Sequence, residues 1–141
     1  TNSRLDNLQA GFGNIMLKKI DKWNKIQLNI AKHYSRNLKN LVEIPEYDLN
    51  ISNPSFHQYI IKVKYRNKLK NYLKKNGINT AIHYPIPIHR QKAFKKQYGT
   101  IKLPKTEFYS NKILSLPINP YLKKRQVDFI IKKIKQFYNE S

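Results

Sequence analysis

From Leu5 to about Leu41, apolar side chains recur every three or four residues: Leu5, Leu8, Phe12, Ile15, Met16, Ile20, Trp23, Ile26, Ile30, Tyr34 and Leu38. This is one stripe of a 3.6-residue repeat and predicts a long N-terminal helix. Ser3 suits the N-cap, with Asp6 three residues later in the first turn, beside the positive end of the helix dipole. Gly11 and Gly13 each weaken a helix interior by about 1 kcal/mol relative to Ala. They require close packing or a kink to justify them. At about 1.5 Å per residue the helix also outruns one small domain, so it is expected to bend or to pack against a partner outside this chain.

Beyond it the period shortens. Val42-Glu43-Ile44-Pro45 reads as a short strand stopped by proline, and residues 50–55 as a turn-rich loop. Phe56 to Val63, rich in β-branched and aromatic residues, is the clearest strand. Asn67 can cap a helix through about Asn76 with Leu69, Tyr72 and Leu73 on its apolar face, and Gly77 follows as its C′ residue. Asn79 to His83 returns as a strand. His83 to His89 contains Pro85 and Pro87, which push Tyr84 and Ile86 into extended geometry and predict a stiff, non-helical loop. Arg90 to Tyr98 then reads as a short basic helix ended by Gly99, and Lys105 to Leu114 as a second short helix. Leu116 to Pro120 is a rigid turn. The last helix runs from Lys123 to about Tyr138, with Val127, Ile130, Ile131, Ile134 and Phe137 on one face. The expected fold class is α+β: the long helix, then a small, mostly antiparallel sheet with flanking helices.

A chain of 141 residues has room for one domain with a real core. No apolar run approaches the roughly 20 residues that span a bilayer, so no membrane partner is expected. The first residues lack the basic and apolar regions of a signal peptide. The absence of cysteine rules out disulfides and thiolate metal sites and suits a reducing, cytoplasmic compartment. Because the chain starts at Thr1, a fragment or processed product of something longer is expected. Lys and Arg number 28 against 8 Asp and Glu, a net charge of +20. Such a field attracts nucleic acid or phosphorylated ligands. The lysines are nevertheless spread over every segment, beside an excess of Asn, Ile and Tyr, as in the product of an AT-rich genome. Charge therefore leaves two readings open: a solvated lysine surface or a phosphate-bearing partner.

There is no Gly-rich phosphate loop, no Cys nucleophile and no His pair at the i, i+4 spacing of a helical metal site. His83 and His89 lie across two prolines, a poor chelate, and the acids are scattered. One polar constellation is coherent: Asn2 and Arg4 at a helix N-terminus, with His83, Tyr84 and His89 on the loop. Backbone N–H groups, a dipole and a guanidinium make an anion site. A simple cap and a surface cation would give the same spacing.

Four segments, in order, carry a family resemblance. Asn2-Ser3-Arg4-Leu5-Asp6-Asn7-Leu8-Gln9-Ala10 resembles the N-x-R segment of DegT-type pyridoxal-phosphate-dependent nucleotide-sugar aminotransferases. Phe56-His57-Gln58-Tyr59 is similar to that family's x-H-x-Y strand. Gly77 to His89, with Gln91 behind it, resembles its G-I-x-(T/A)-x-(I/V)-H-Y-P-x-P-(I/L)-H-x-Q segment almost position for position. Ile113-Leu114-Ser115-Leu116-Pro117-Ile118-Asn119-Pro120 is similar to its L-S-L-P turn. Gly11 and Gly13 depart from the Ala or Leu usual in the family.

The resemblance implies the C-terminal portion of such an enzyme, the small domain of an aspartate-aminotransferase-type fold. Residues 1–40 would form an interface helix region and 41–141 the α+β small domain. The family's Schiff-base lysine would lie upstream, so this chain alone is expected to be inactive. In the complete enzyme, a homodimer with shared active sites, Asn2 would bind the pyridoxal 5'-phosphate cofactor through its phosphate. Arg4, His83 and Tyr84 would reach the nucleotide-sugar substrate, most naturally its diphosphate, with glutamate as amino donor and His89 as a supporting group. The contrasting expectations are a free-standing basic module for nucleic acid or another polyanion, and an inactive gene fragment.

Overall fold

The computed structural model describes residues 4–139. Its helices are α1 (Asn7–Leu17), α2 (Ile20–Leu38), α3 (Arg66–Lys75), α4 (Lys95–Tyr98), α5 (Pro104–Ser110) and α6 (Lys124–Asn139). Its strands are β1 (Tyr59–Lys62) and β2 (Ile113–Leu116), and a 3-10 turn spans Ile88–Arg90.

The strands pair antiparallel, with Tyr59 opposite Leu116 and Ile61 opposite Leu114. Isolated bridges extend the pair at both edges, Glu43 to Lys62 and Ala81 to Ser115. The expected strands at 42–45 and 79–83 therefore contribute single bridges, and the strand expected over 56–63 narrows to four residues. Alternation places Tyr59, Ile61, Leu114 and Leu116, all buried, on one face of the sheet. On that side α2 and α3 both pack against α6. Ile30, Ala31, Tyr34 and Leu38 of α2, Leu69 and Leu73 of α3, and Val127, Ile130, Ile131, Ile134 and Phe137 of α6 complete the core. The Tyr34 hydroxyl donates to the Pro117 carbonyl at 2.9 Å, and Tyr59 shares a hydrogen bond of 2.8 Å with Ser35. Burial raises both phenol pKa values, that of Tyr59 to about 12 even with the opposing Ser35 contact.

Three expectations are corrected. The single N-terminal helix is two helices, parted at Lys18–Lys19, where the Lys19 N–H bonds the Met16 carbonyl at 2.9 Å. The apolar spacing stays in phase across this turn, so periodicity alone does not register it. Gly11 and Gly13 sit inside α1, where a Cβ at either would meet no neighbouring atom within 4 Å, so close packing does not account for them among the described residues. The helix expected over 105–114 ends at Ser110, and Leu114 lies in β2. The helix expected over 90–98 reduces to a 3-10 turn and the four residues of α4. The expected cap Ser3 lies outside the described residues. Asp6 is the N-cap of α1, its carboxylate accepting from the Gln9 N–H at 2.8 Å.

Gly77 behaves as its position after α3 implies. It has φ +76, its N–H bonds the Lys74 carbonyl at 3.0 Å, and the Ile78 N–H bonds the Leu73 carbonyl at 2.9 Å. These two bonds form a Schellman cap. A Cβ at Gly77 would meet no neighbouring atom, so Gly77→Ala incurs backbone strain alone. It is expected to lower stability by about 1–2 kcal/mol in a denaturant titration.

Candidate functional site

The loop from His83 to Arg90 runs between β2 and α5. Just ahead of it the Ala81 N–H bonds the Ser115 carbonyl at 3.2 Å, and within it the Arg90 N–H bonds the Pro87 carbonyl at 2.9 Å, in the 3-10 turn. Pro85 and Pro87 have no N–H to offer. Side chains therefore hold this segment. At its start, His83 Nδ1 and Ser115 Oγ are 2.8 Å apart. At its end, the buried His89 places Nε2 3.0 Å from Glu107 Oε1. The His83–Tyr84 peptide bond is cis.

Ser115 faces away from Tyr59 and Leu114, toward the loop, because successive strand residues alternate faces. His83 is half-buried there, in a hollow of about 280 Å³ shared with His57 and Thr80. Its ring meets Tyr84 edge-on, with centroids 5.5 Å apart. Tyr84 is 69% exposed, and Ile86 and Ile88 follow it outward. With Tyr98, Leu103 and Tyr109 these residues line an open cavity of about 610 Å³. The loop thus presents the Tyr84 phenol on a largely apolar rim, while the half-buried His83 lines the separate, smaller hollow.

Glu107 is the electrostatic centre of the region. Its Oε1 accepts from Arg90 Nη2 at 2.9 Å and Nε at 3.2 Å as well as contacting His89, and it lies 3.4 Å from the Leu103 N–H. Hydrogen bonding from His89, then from Arg90 and Leu103, holds this carboxyl down at about 2. A carboxylate with a lowered folded-state pKa adds stability that is complete above its unfolded value, here 4.5, and that fades as pH falls toward about 2. Glu107→Gln is accordingly expected to flatten the acid limb of the stability curve between these two values, followed by thermal melts against pH.

Arg4 is exposed just ahead of α1. No hydrogen bond, ion pair or ring contact among the described residues joins it to His83 or Tyr84. Asn2 lies outside the described residues. The structure therefore brings together His83, Tyr84 and His89 of the expected constellation, leaves Arg4 apart, and adds two residues that sequence reasoning missed, Ser115 and Glu107. Ser115 was hidden inside an apolar run and Glu107 among scattered acids.

Every lysine is at least partly exposed. The hydrogen bond to Glu43 raises Lys62 above the usual lysine value. An amine activated for carbonyl chemistry needs the opposite shift. Among the described residues, no cluster of His, Asp and Glu could hold a metal ion, and no helix is long and apolar enough to cross a membrane. The apolar residues of α1 are uncovered: Leu8, Phe12, Ile15, Met16 and Leu17 are each more than half exposed.

Comparison with known proteins places these features in context. The model of the DegT/DnrJ/EryC1/StrS aminotransferase family matches residues 1–135. The chain is 35% identical to a pleiotropic regulatory protein of Geobacillus stearothermophilus, over 97% of this chain and 38% of the relative. It is 32% identical to the dTDP-3-amino-3,4,6-trideoxy-alpha-D-glucose transaminase of Streptomyces venezuelae, over 97% of this chain and 37% of that enzyme. The crystal structure of NtdA from Bacillus subtilis with bound cofactor PMP superimposes with a TM-score of 0.89 at 28% identity, covering 99% of this chain and 34% of that one. The chain thus spans little more than a third of the length of these relatives.

Proposed function

This chain belongs to the DegT/DnrJ/EryC1/StrS aminotransferase family, and on that premise we propose that it is the C-terminal part of a pyridoxal-phosphate-dependent enzyme. That enzyme transfers an amino group from glutamate to a nucleotide-linked keto-sugar. The observation that carries the reading is the His83–Tyr84 loop, tethered to β2 through Ser115 with Tyr84 exposed beside the half-buried His83. The transaminase name of the Streptomyces relative supports the substrate class, and the PMP bound by the Bacillus structure supports the cofactor.

The amide of Asn2 is a donor of the kind that fits the anionic end of such a cofactor. Asn2 would hydrogen-bond its phosphate. The cofactor, when bound, supplies the electron sink for amino-group transfer. The lysine that carries the cofactor would belong to the rest of the enzyme, since every lysine here is at least partly exposed.

The work of residues 4–139 is binding and orientation. With Nδ1 engaged by Ser115, His83 turns Nε2 toward a ligand. When the Ser115 hydroxyl donates to Nδ1, Nε2 carries the proton and donates to a diphosphate oxygen. Tyr84 adds a phenolic O–H beside it, and Arg4 a planar cation suited to two oxygens at once. In this reading Arg4 and the loop meet the substrate across the interface, in a site shared between two subunits. The uncovered face of α1 fits the same homodimeric arrangement, with residues 1–40 as the interface helix region and 41–141 as the small domain. The setting is cytoplasmic, in keeping with a cysteine-free chain.

The test uses the longer enzyme carrying this segment. Pyridoxal phosphate is added, the sample is reduced with borohydride, and peptides are mapped by mass. One modified lysine outside residues 1–141 is expected. Modification scattered over the surface lysines, or none at all, would overturn the reading.

A further inference from the structure

We infer that Glu107 is the positioning residue for the substrate loop, setting where His83 and Tyr84 stand without touching the substrate. The inference rests on the function proposed above. Four observations carry it. The 83–90 loop has almost no backbone tethering of its own. His83 on Ser115 and His89 on Glu107 anchor its two ends, and Gln91 Nε2 donates to the Ile86 carbonyl at 3.5 Å between them. His89 is only 6% exposed, so its ring is fixed in place once Glu107 accepts from it. Arg90 brings both Nε and Nη2 to the same carboxylate oxygen and spans to the Gly99 carbonyl through Nη1 at 2.7 Å, tying loop, α5 and the end of α4 together.

The arrangement is a clamp with one replaceable part. Pro85 and Pro87 stiffen the loop between its two anchors, so a shift at His89 is transmitted to Tyr84 rather than absorbed by bending. A misplacement of about 1 Å at a binding group can cost on the order of a hundredfold in rate. Glu107 lies on α5, outside the loop, and its effect on substrate runs entirely through His89 and Arg90.

Two variants of the full-length holoenzyme, Glu107→Ala and Glu107→Gln, test this. Hydrogen–deuterium exchange of residues 82–91 is measured together with KM and kcat for the nucleotide sugar and the rate of the amino-donor half-reaction. Glu107→Ala is expected to speed exchange in 82–91 and raise the nucleotide-sugar KM about tenfold, with the donor half-reaction unchanged. Glu107→Gln keeps an acceptor oxygen for His89 and Arg90 and is expected to restore most of both effects. Unaltered exchange in both variants, faster exchange with an unaltered KM, or equal loss in both half-reactions would overturn the inference. A wild-type enzyme that aminates no nucleotide sugar would instead sink the proposed function, while the exchange data would still report on the clamp.

Discussion

Arg4→Ala and His83→Ala, each placed in the complete enzyme, are expected to lower kcat/KM for the nucleotide sugar by about tenfold to a hundredfold. The estimate follows from the strength of hydrogen bonds to charged groups, about 1.5–3 kcal/mol each, at about 1.4 kcal/mol per factor of ten. The amino-donor half-reaction should proceed at its normal rate, because neither residue is assigned to the donor. Arg4→Lys separates charge from geometry: it keeps the cation but loses the planar fork, and is expected to recover only part of the loss. His83→Ala also removes the partner of Ser115, so its melting temperature is measured beside its kinetics. A kcat/KM unchanged by either substitution removes that residue from the substrate site.

The second large effect concerns stability, and it separates two faces that look alike in the sequence. Ile134 of α6 is fully buried in the hydrophobic core, whereas Phe12 of α1 is 60% exposed. Ile134→Ala removes apolar contacts from a packed core and is expected to destabilise the 141-residue chain by about 2–5 kcal/mol. Phe12→Ala leaves no cavity in this chain and is expected to change its stability by less than about 0.5 kcal/mol. The proposed homodimer would cover the α1 face, and the same Phe12→Ala substitution is then expected to become costly in the complete enzyme. Urea titrations of both variants, in the short chain and in the full-length enzyme, make the comparison. Equal small effects of Phe12→Ala in both forms would contradict the assignment of α1 to an interface.

These contrasts show what the sequence discloses and what it does not. The apolar face of α6 and the Leu69, Tyr72, Leu73 face of α3 are strongly periodic, and the structure places both helices within a residue or two of expectation. Gly77 and the two loop prolines are legible because their backbone constraints are local. β2 was missed for the converse reason: Ile113-Leu114-Ser115-Leu116 is too short to show a period, and apolar runs of four suit either strand or helix. The break at Lys18–Lys19 leaves the apolar stripe in register and so leaves no trace in it. In the site, His83 and Tyr84 could be singled out from the loop that carries them. Their supports could not, since Ser115 is 32 residues from His83 and Glu107 is 18 from His89. Such pairings exist only once β2 and α5 have been placed. The net charge of +20, the loudest global feature, does not point to one place, with exposed lysines on α2, α3, α4, α5 and α6 alike.

The most direct test of the central claim is an isotope transfer. The full-length enzyme is loaded with pyridoxal phosphate and given ¹⁵N-glutamate with a panel of nucleotide-linked keto-sugars, and the products are analysed by mass spectrometry. The account predicts ¹⁵N in the sugar of at least one nucleotide product, with the yield falling in Arg4→Ala and His83→Ala. Absence of label from every nucleotide sugar, with salt-sensitive polyanion binding as the only activity, would contradict it and favour the basic binding module.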